Sequence, residues 1–165
     1  MNTHPFDSIT TNSGARFIFT PCPGTKDANL TESVEQLKQA GAQAIVTLMY
    51  QEEMDKNQAS QLPQVCEQQG VSWFQLPISD DAAPNQDFLS KWHEHLADLL
   101  AILKQQGTIA VHCKGGSGRT GLVIGLLMNE LGLSKEQAKT LVQSVRPKAL
   151  INSAQLNYYN EFGGK

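Results

Sequence analysis

The chain is poor in cysteine, in basic charge and in long apolar runs, and each shortage removes a class of function. Its three cysteines, Cys22, Cys66 and Cys113, are too few and odd in number for a disulfide framework, and none forms a CxxC pair. No His/Cys cluster has zinc-site spacing, so no metal is expected. Thirteen Lys and Arg against sixteen Asp and Glu leave a net charge of −3. The broad positive field of a nucleic-acid binder is missing, and nucleic acid is not expected as a partner. The longest apolar stretch, Gly121 to Met128, is far too short to cross a bilayer. The N-terminal MNTHPFDSITTNSGARF has no apolar core of a signal peptide. A reducing cytoplasm is the expected setting, with no membrane partner. There, a cysteine is kept for packing or for chemistry.

What is present is ordinary globular material, 40% hydrophobic and 18% charged over 165 residues. Strands and helices alternate with brief punctuation, which points to an α/β fold: a single domain with a central, mostly parallel sheet flanked by helices. Residues 1–14 are expected to be a flexible arm. Arg16 to Thr20 reads as a strand stopped by Pro21-Cys22-Pro23-Gly24. Thr31 to Ala40 reads as a helix with Val34 and Leu37 inward and Gly41 past its end. Ala44 to Met49 is an unbroken apolar run, as in a strand covered on both faces. A helix over Leu62 to Gln69 and a strand over Val71 to Leu76 follow, and Ile78 to Asn85 (ISDDAAPN) has the chemistry of a loop. From Gln86 to Gln106 a long helix sets Phe88, Trp92, Leu96, Leu99 and Leu103 on one stripe. After a short buried strand, Thr108 to Val111, comes a helix through Gly121 to Leu131 that is apolar nearly all round. Ser134 with Gln137 makes a capping box for a helix to Val145, and Asn152 opens a last helix through Tyr158 and Phe162.

The segment His112 to Gly121, HCKGGSGRTG, carries the chemistry. A buried strand runs into Cys113, then Lys114, Gly115, Gly116, Ser117 and Gly118 form a sharp turn, and Arg119 opens the apolar helix. The glycines let the backbone curl so that successive N–H groups face one centre. The start of the following helix adds its own free N–H groups and positive potential. Such a hollow binds a tetrahedral dianion. The same field favours the thiolate of Cys113, the form that attacks. Arg119 contributes a planar fork that can hold two phosphate oxygens at once, which lysine cannot do. A nucleotide P-loop is excluded, because the glycine run ends in Arg119-Thr120 without the required lysine.

HCKGGSGRTG resembles the C-x5-R signature of the protein tyrosine and dual-specificity phosphatases, including the preceding His and the following Thr. The resemblance extends to the ISDDAAP loop and to VRPKALINSAQLNYYNEF, and covers the chain from about Arg16 to Phe162. It is nearest to the small kinase-associated dual-specificity type, whose acid loop likewise reads Pro-Ile-x-Asp, as Pro77-Ile78-Ser79-Asp80 does here. The resemblance implies a phosphoprotein or phosphopeptide substrate, an oxyanion bound in the turn, and neither cofactor nor metal. It implies Cys113 as nucleophile, Arg119 as phosphate clamp and Asp80 as general acid. Thr120 would hydrogen-bond the cysteine sulfur, and His112 would orient the loop and tune the thiolate without transferring protons. Gln155 takes the place of a late glutamine near the pocket, and Glu53 that of a partner for Arg119.

Blander readings stand beside these. Asp81 and Asp87 are alternatives to Asp80, and an extended loop should let only one of the adjacent pair, Asp80 and Asp81, face the pocket. Cys22 and Cys66 read as structural, with a resolving role toward oxidised Cys113 as the alternative. His93 and His95 read as surface residues; Tyr158, Tyr159 and Phe162 read as packing. A phosphoinositide or other non-protein phosphate is the competing substrate class, weakened by Ser117 where a basic residue would help and by the absence of a basic membrane-facing run. A phosphate-binding interaction module would be expected to lack the nucleophile or the acid, and both are present. A monomer is expected.

Overall fold

The computed structural model describes residues 3–163. In chain order the elements are β1 (Asp7–Thr10), β2 (Arg16–Thr20), α1 (Leu30–Gln39), β3 (Ala42–Thr47), α2 (Gln51–Lys56), α3 (Leu62–Gln69), β4 (Ser72–Gln75), α4 (Gln86–Lys104), β5 (Thr108–His112), α5 (Gly118–Glu130), α6 (Lys135–Val145) and α7 (Ser153–Glu161). The strands form one sheet in the order β1-β2-β5-β3-β4. β2, β5, β3 and β4 run parallel, and only β1 is antiparallel, pairing with β2. The α/β fold with a mostly parallel sheet is therefore as the sequence reads.

Alternation along the strands divides the interior into two apolar clusters. Phe17, Phe19, Val46, Ile109 and Val111 pack with Phe88 and Trp92 of α4, Leu122 and Leu126 of α5, Val142 of α6 and Tyr159 of α7. Ile18, Ile45 and Ala110 point the other way and pack with Val34 and Leu37 of α1 and Leu62 and Cys66 of α3. A sheet covered on both faces explains the unbroken apolar runs. α5 is buried over every residue from Arg119 to Met128, as its all-round apolar sequence demands. Gly121 lets it lie close to its neighbour, since a Cβ there would stand 2.4 Å from Cβ of Ala149. The Ser134–Gln137 capping box forms in both directions. Tyr158 and Phe162 join an aromatic group with Phe88 and Trp92, so the late aromatics pack rather than bind.

Two elements depart from expectation. Residues 7–10 lie within the segment read as an arm, yet they pair with β2 along its length, and His4 is fully buried. Without β1, β2 would present an open sheet edge. The short polar DSIT gives no periodic signal of its own. Met1 and Asn2, also part of that arm, lie outside the described residues. The second departure is α2, a six-residue helix with Met54 as its only buried side chain.

The strand order places the sheet's switch point between β3 and β5. The β3–α3–β4 connection covers one face, and the β4–α4–β5 connection returns over the other. In open α/β sheets ligands bind beyond the carboxyl ends of the strands at such a point. There, Leu48 N–H donates to His112 O (3.0 Å), Ile78 N–H to Leu48 O (3.1 Å) and Cys22 N–H to Lys114 O (3.0 Å). Four loops are thereby stitched together where β2, β3, β4 and β5 end.

Candidate active site

Cys113 follows β5 directly and is only 4% exposed. Its Sγ accepts hydrogen bonds from the Gly116 N–H (3.2 Å) and the Thr120 hydroxyl (3.3 Å). A backbone amide and a side-chain donor on the opposite limb of the turn thus converge on one sulfur. Gly116 has φ +82°, and a Cβ there would stand 2.6 Å from the Thr20 carbonyl carbon. Only glycine fits at that position. α5 begins at Gly118, one residue before Arg119, so its first turn belongs to the cradle itself.

Arg146 holds the cradle from outside. Its Nε donates to Gly116 O (3.0 Å), Nη2 to Phe19 O (3.3 Å) and Nη1 to Asp7 Oδ2 (2.6 Å). The Asp7 side chain is 62% exposed, and an ion pair of that kind is worth only about 0–1 kcal/mol. The carbonyl bonds, which turn Gly116 O outward, therefore do most of the positioning.

Arg119 is almost fully buried. Nη1 and Nη2 grip Glu53 Oε1 and Oε2 at 2.7 and 2.8 Å, and Nη1 also donates to Ile78 O at 3.0 Å. Nη2 lies 3.6 Å from Asp80 Oδ1. Burial alone would push the guanidinium down, but the bonds to Glu53 and the charges of Cys113, Glu53 and Asp80 outweigh it and hold the group above its ordinary value. Accounting for each N–H changes how the fork works. The Nη1/Nη2 edge is committed to Glu53, whereas Nε is buried with no hydrogen-bond partner among the described residues. The edge left for an anion is Nε with Nη2.

Cys113, Lys114, Gly115, Ser117, Gly118, Arg119, Gln155, Asp80 and Asp81 line one cavity of about 590 Å³, closed on its other side by Gly24, Thr25, Lys26, Asn57 and Gln58. The expectation was that only one of the paired aspartates faces this space; both residues line it, and Asp81 has φ +60°, which breaks the alternation of an extended loop. They differ in their partners: Asp80 stands in ion-pair range of Arg119, and no such contact forms for Asp81 among the described residues. Asp87 does not line the cavity; it starts α4 and accepts from the Tyr50 hydroxyl (2.9 Å). The start of α7 holds the acid loop in place. Asn152 Nδ2 donates to Asp81 O and Gln155 Nε2 to Ala82 O, each at 3.2 Å.

His112 is completely buried. Its Nδ1 lies 3.0 Å from Cys113 O and its Nε2 2.7 Å from Thr47 Oγ1. Burial first, with His4 and Arg119 nearby, lowers it to about 4 against the bond to Cys113 O, so the ring is neutral at pH 7. Thr47 and Arg146 are contacts that sequence reasoning misses: no local pattern marks them, and only the topology brings them to the turn. His93 is exposed, as expected, and His95 packs edge-on to Phe74.

Cys22 and Cys66 pack in the cluster on the far face of the sheet from that of Cys113. Burial pushes both thiols up to about 12. Cys66 has burial as its one influence and fits the structural reading, whereas Cys22 lies beside the turn, its thiol within the field of Glu53, Cys113, Arg119 and Lys114 and its N–H bonded to Lys114 O. No group of three or more His, Cys, Asp or Glu side chains among the described residues could hold a metal ion. No helix among them is long and apolar enough to cross a membrane.

Residues 22–132, which include the turn, match a family model described as a polymorphic toxin system DSP-PTPase phosphatase. The chain belongs to the dual-specificity phosphatase family. The chain is 31% identical to cyclin-dependent kinase inhibitor 3 of Rattus norvegicus over 140 residues, which are 83% of this chain and 65% of that protein. It thus spans just under two thirds of the length of that relative. A probable protein tyrosine phosphatase type IVA B of Dictyostelium discoideum is 32% identical over 117 residues, covering 66% of this chain and 71% of the relative. A crystal structure of kinase associated phosphatase, with its catalytic site cysteine replaced by serine, matches the fold with a TM-score of 0.84. It is 25% identical and covers 96% of this chain and 93% of that one.

Proposed function

We propose that this phosphatase hydrolyses phosphotyrosine, phosphoserine and phosphothreonine in proteins through a phosphocysteine formed on Cys113. The observation that carries the reading is the convergence on one buried sulfur: two donors stabilise it, and Arg119, whose Nε has no hydrogen-bond partner among the described residues, lines the same pocket. In the first step the Cys113 thiolate attacks phosphorus in line. The P–O bond to the substrate breaks, and Asp80 gives its proton to the departing oxygen. In the second, Asp80 takes a proton from water as the water oxygen attacks phosphorus and the P–S bond breaks. The Thr120 hydroxyl stabilises the leaving thiolate, and inorganic phosphate departs. Fixed donors in the turn and on Arg119, aimed at the phosphoryl oxygens, supply most of the rate enhancement.

The pocket wall supports substrates beyond phosphotyrosine. It contains no aromatic side chain among the described residues, so nothing in it selects a phenyl ring over an alkyl chain. Exposed Lys26 and Lys114 add positive potential at the pocket. The chemistry requires a reduced Cys113, which favours a cytoplasmic setting, and a single chain furnishes the whole pocket, so a monomer suffices.

Leaving-group dependence tests the assignment of the acid. An alkoxide leaves badly without a proton, whereas an acidic phenol leaves unaided. Asp80→Asn is expected to slow phosphoserine and phosphotyrosine peptides by about 10²–10⁴-fold and activated aryl phosphates far less. Asp81→Asn is expected to change neither by more than a few-fold, although Asp81 also lines the pocket. The reverse pattern in kcat would move the role to Asp81.

A further inference from the structure

The charges that line the catalytic pocket are sorted by sign. Lys26 stands on the loop after β2, and Asp80 and Asp81 stand on the loop after β4. In the sheet order these strands lie on opposite sides of β5, whose end leads into Cys113. Lys114, next to the nucleophile, is the second exposed lysine of the lining. Neither lysine has a carboxylate within ion-pair distance among the described residues. On the opposite wall Asp80 is in range of Arg119, which leaves Asp81 as the acid without a counter-charge among them. Asp27, beside Lys26 in the chain, is exposed and does not line the cavity. Thr25, Asn57 and Gln58 complete the wall with hydroxyl and amide groups suited to a peptide backbone. At about 590 Å³ the cavity has the volume of a pocket for a drug-sized ligand. A phosphorylated side chain therefore leaves room for the residues that flank it.

We propose, on the protein phosphatase reading of this chain, that Lys26 and Asp81 are specificity-determining residues. They select phosphopeptides with an acidic residue on one flank of the phosphoresidue and a basic residue on the other. A peptide that crosses the pocket from the β2 side to the β4 side sets one flank beside Lys26 and the other beside Asp81. Complementary flanks fix its direction, whereas the reverse order brings like charges together at both ends. Asn152 Nδ2 holds the Asp81 carbonyl at 3.2 Å, so the backbone is fixed beneath an exposed carboxylate. A polyanion such as a phosphoinositide headgroup would meet Asp81 as a like charge, so the lining favours a peptide of mixed charge. The flanks touch neither the sulfur nor the departing oxygen. They act on ground state and transition state alike, and the preference falls on KM.

The test uses the full chain and two phosphotyrosine peptides of identical composition, one with Glu before and Lys after the phosphoresidue, the other reversed. Net charge is the same in both, so only the order of the flanks is read. At low salt one order is expected to exceed the other about tenfold in kcat/KM, and about 0.5 M NaCl to shrink the difference. Lys26→Gln and Asp81→Asn are each expected to reduce it to about threefold, and together to within about twofold. The comparison is a ratio within each chain, so a general loss of activity cancels. Equal kcat/KM for the two orders in the native chain overturns the proposal, as does a preference that survives the double substitution in full. So does turnover of a phosphoinositide headgroup far faster than of either peptide, which would assign the lysines to a second phosphate. Absence of turnover on any phosphopeptide would sink the protein phosphatase reading. Binding of the two peptides to the Cys113→Ser chain, measured by calorimetry, would still decide the role of Lys26 and Asp81.

Discussion

Cys113→Ser is expected to fold, to bind phosphate and to lose more than about 10³-fold in kcat. Serine is nearly isosteric, and its oxygen can accept the same bonds from the Gly116 N–H and the Thr120 hydroxyl. The cradle, the pocket and the Arg119–Glu53 pair do not depend on sulfur. What is lost is the sulfur nucleophile, since a hydroxyl attacks only weakly without a base to take its proton. Steady-state kinetics with phosphate titration by calorimetry checks both halves. A serine variant within tenfold of the native kcat would sink covalent catalysis, and one that no longer binds phosphate would show that sulfur shapes the cradle.

Arg119→Lys keeps the charge and is expected to lose about 10²–10³-fold in kcat. The native guanidinium serves Glu53 with two donors and Ile78 O with a third, leaving Nε for the anion. An ammonium offers three donors from one point and cannot face Glu53 and the pocket together. Either the clamp on phosphate fails or Glu53 and Ile78 O lose partners. Leaving such a group unsatisfied costs roughly 1–3 kcal/mol. Denaturant unfolding beside kinetics separates these outcomes: a large kcat loss with a lowered unfolding midpoint shows both demands on the side chain. Native kcat in this variant would remove Arg119 from its assigned role.

The parts of the molecule that could be read from sequence are those whose signals are local. HCKGGSGRTG contains a strand end, a glycine turn and a helix start within ten residues, so the cradle is legible without any tertiary information. The same holds for the Ser134–Gln137 box and for α5, whose burial on every side is written in its composition. β1 and α2 are short and polar. β1 forms because β2 offers it an edge, and α2 because the Arg119 guanidinium and Met54 packing hold it. Glu53 could be suspected only by resemblance. Thr47 and Arg146 reach His112 and the turn from sequence positions far from Cys113, and no periodicity signals such a contact. The aspartate pair went astray for a different reason: residues in an extended loop alternate, and Asp81 escapes that rule by its positive φ.

The central claim is a covalent bond between Cys113 and phosphorus. Its most direct test is acid quench of the Asp80→Asn protein turning over an activated aryl phosphate, followed by peptide mapping of the trapped phosphate. The aryl group needs no acid to leave, whereas breakdown of the intermediate needs Asp80 as base, so the intermediate should accumulate. A near-stoichiometric burst of phenol, with phosphate on the peptide containing Cys113 and absent from the Cys113→Ser chain, is the predicted result. Phenol release without a burst and with no phosphate on Cys113, or with phosphate on another residue, would contradict the account.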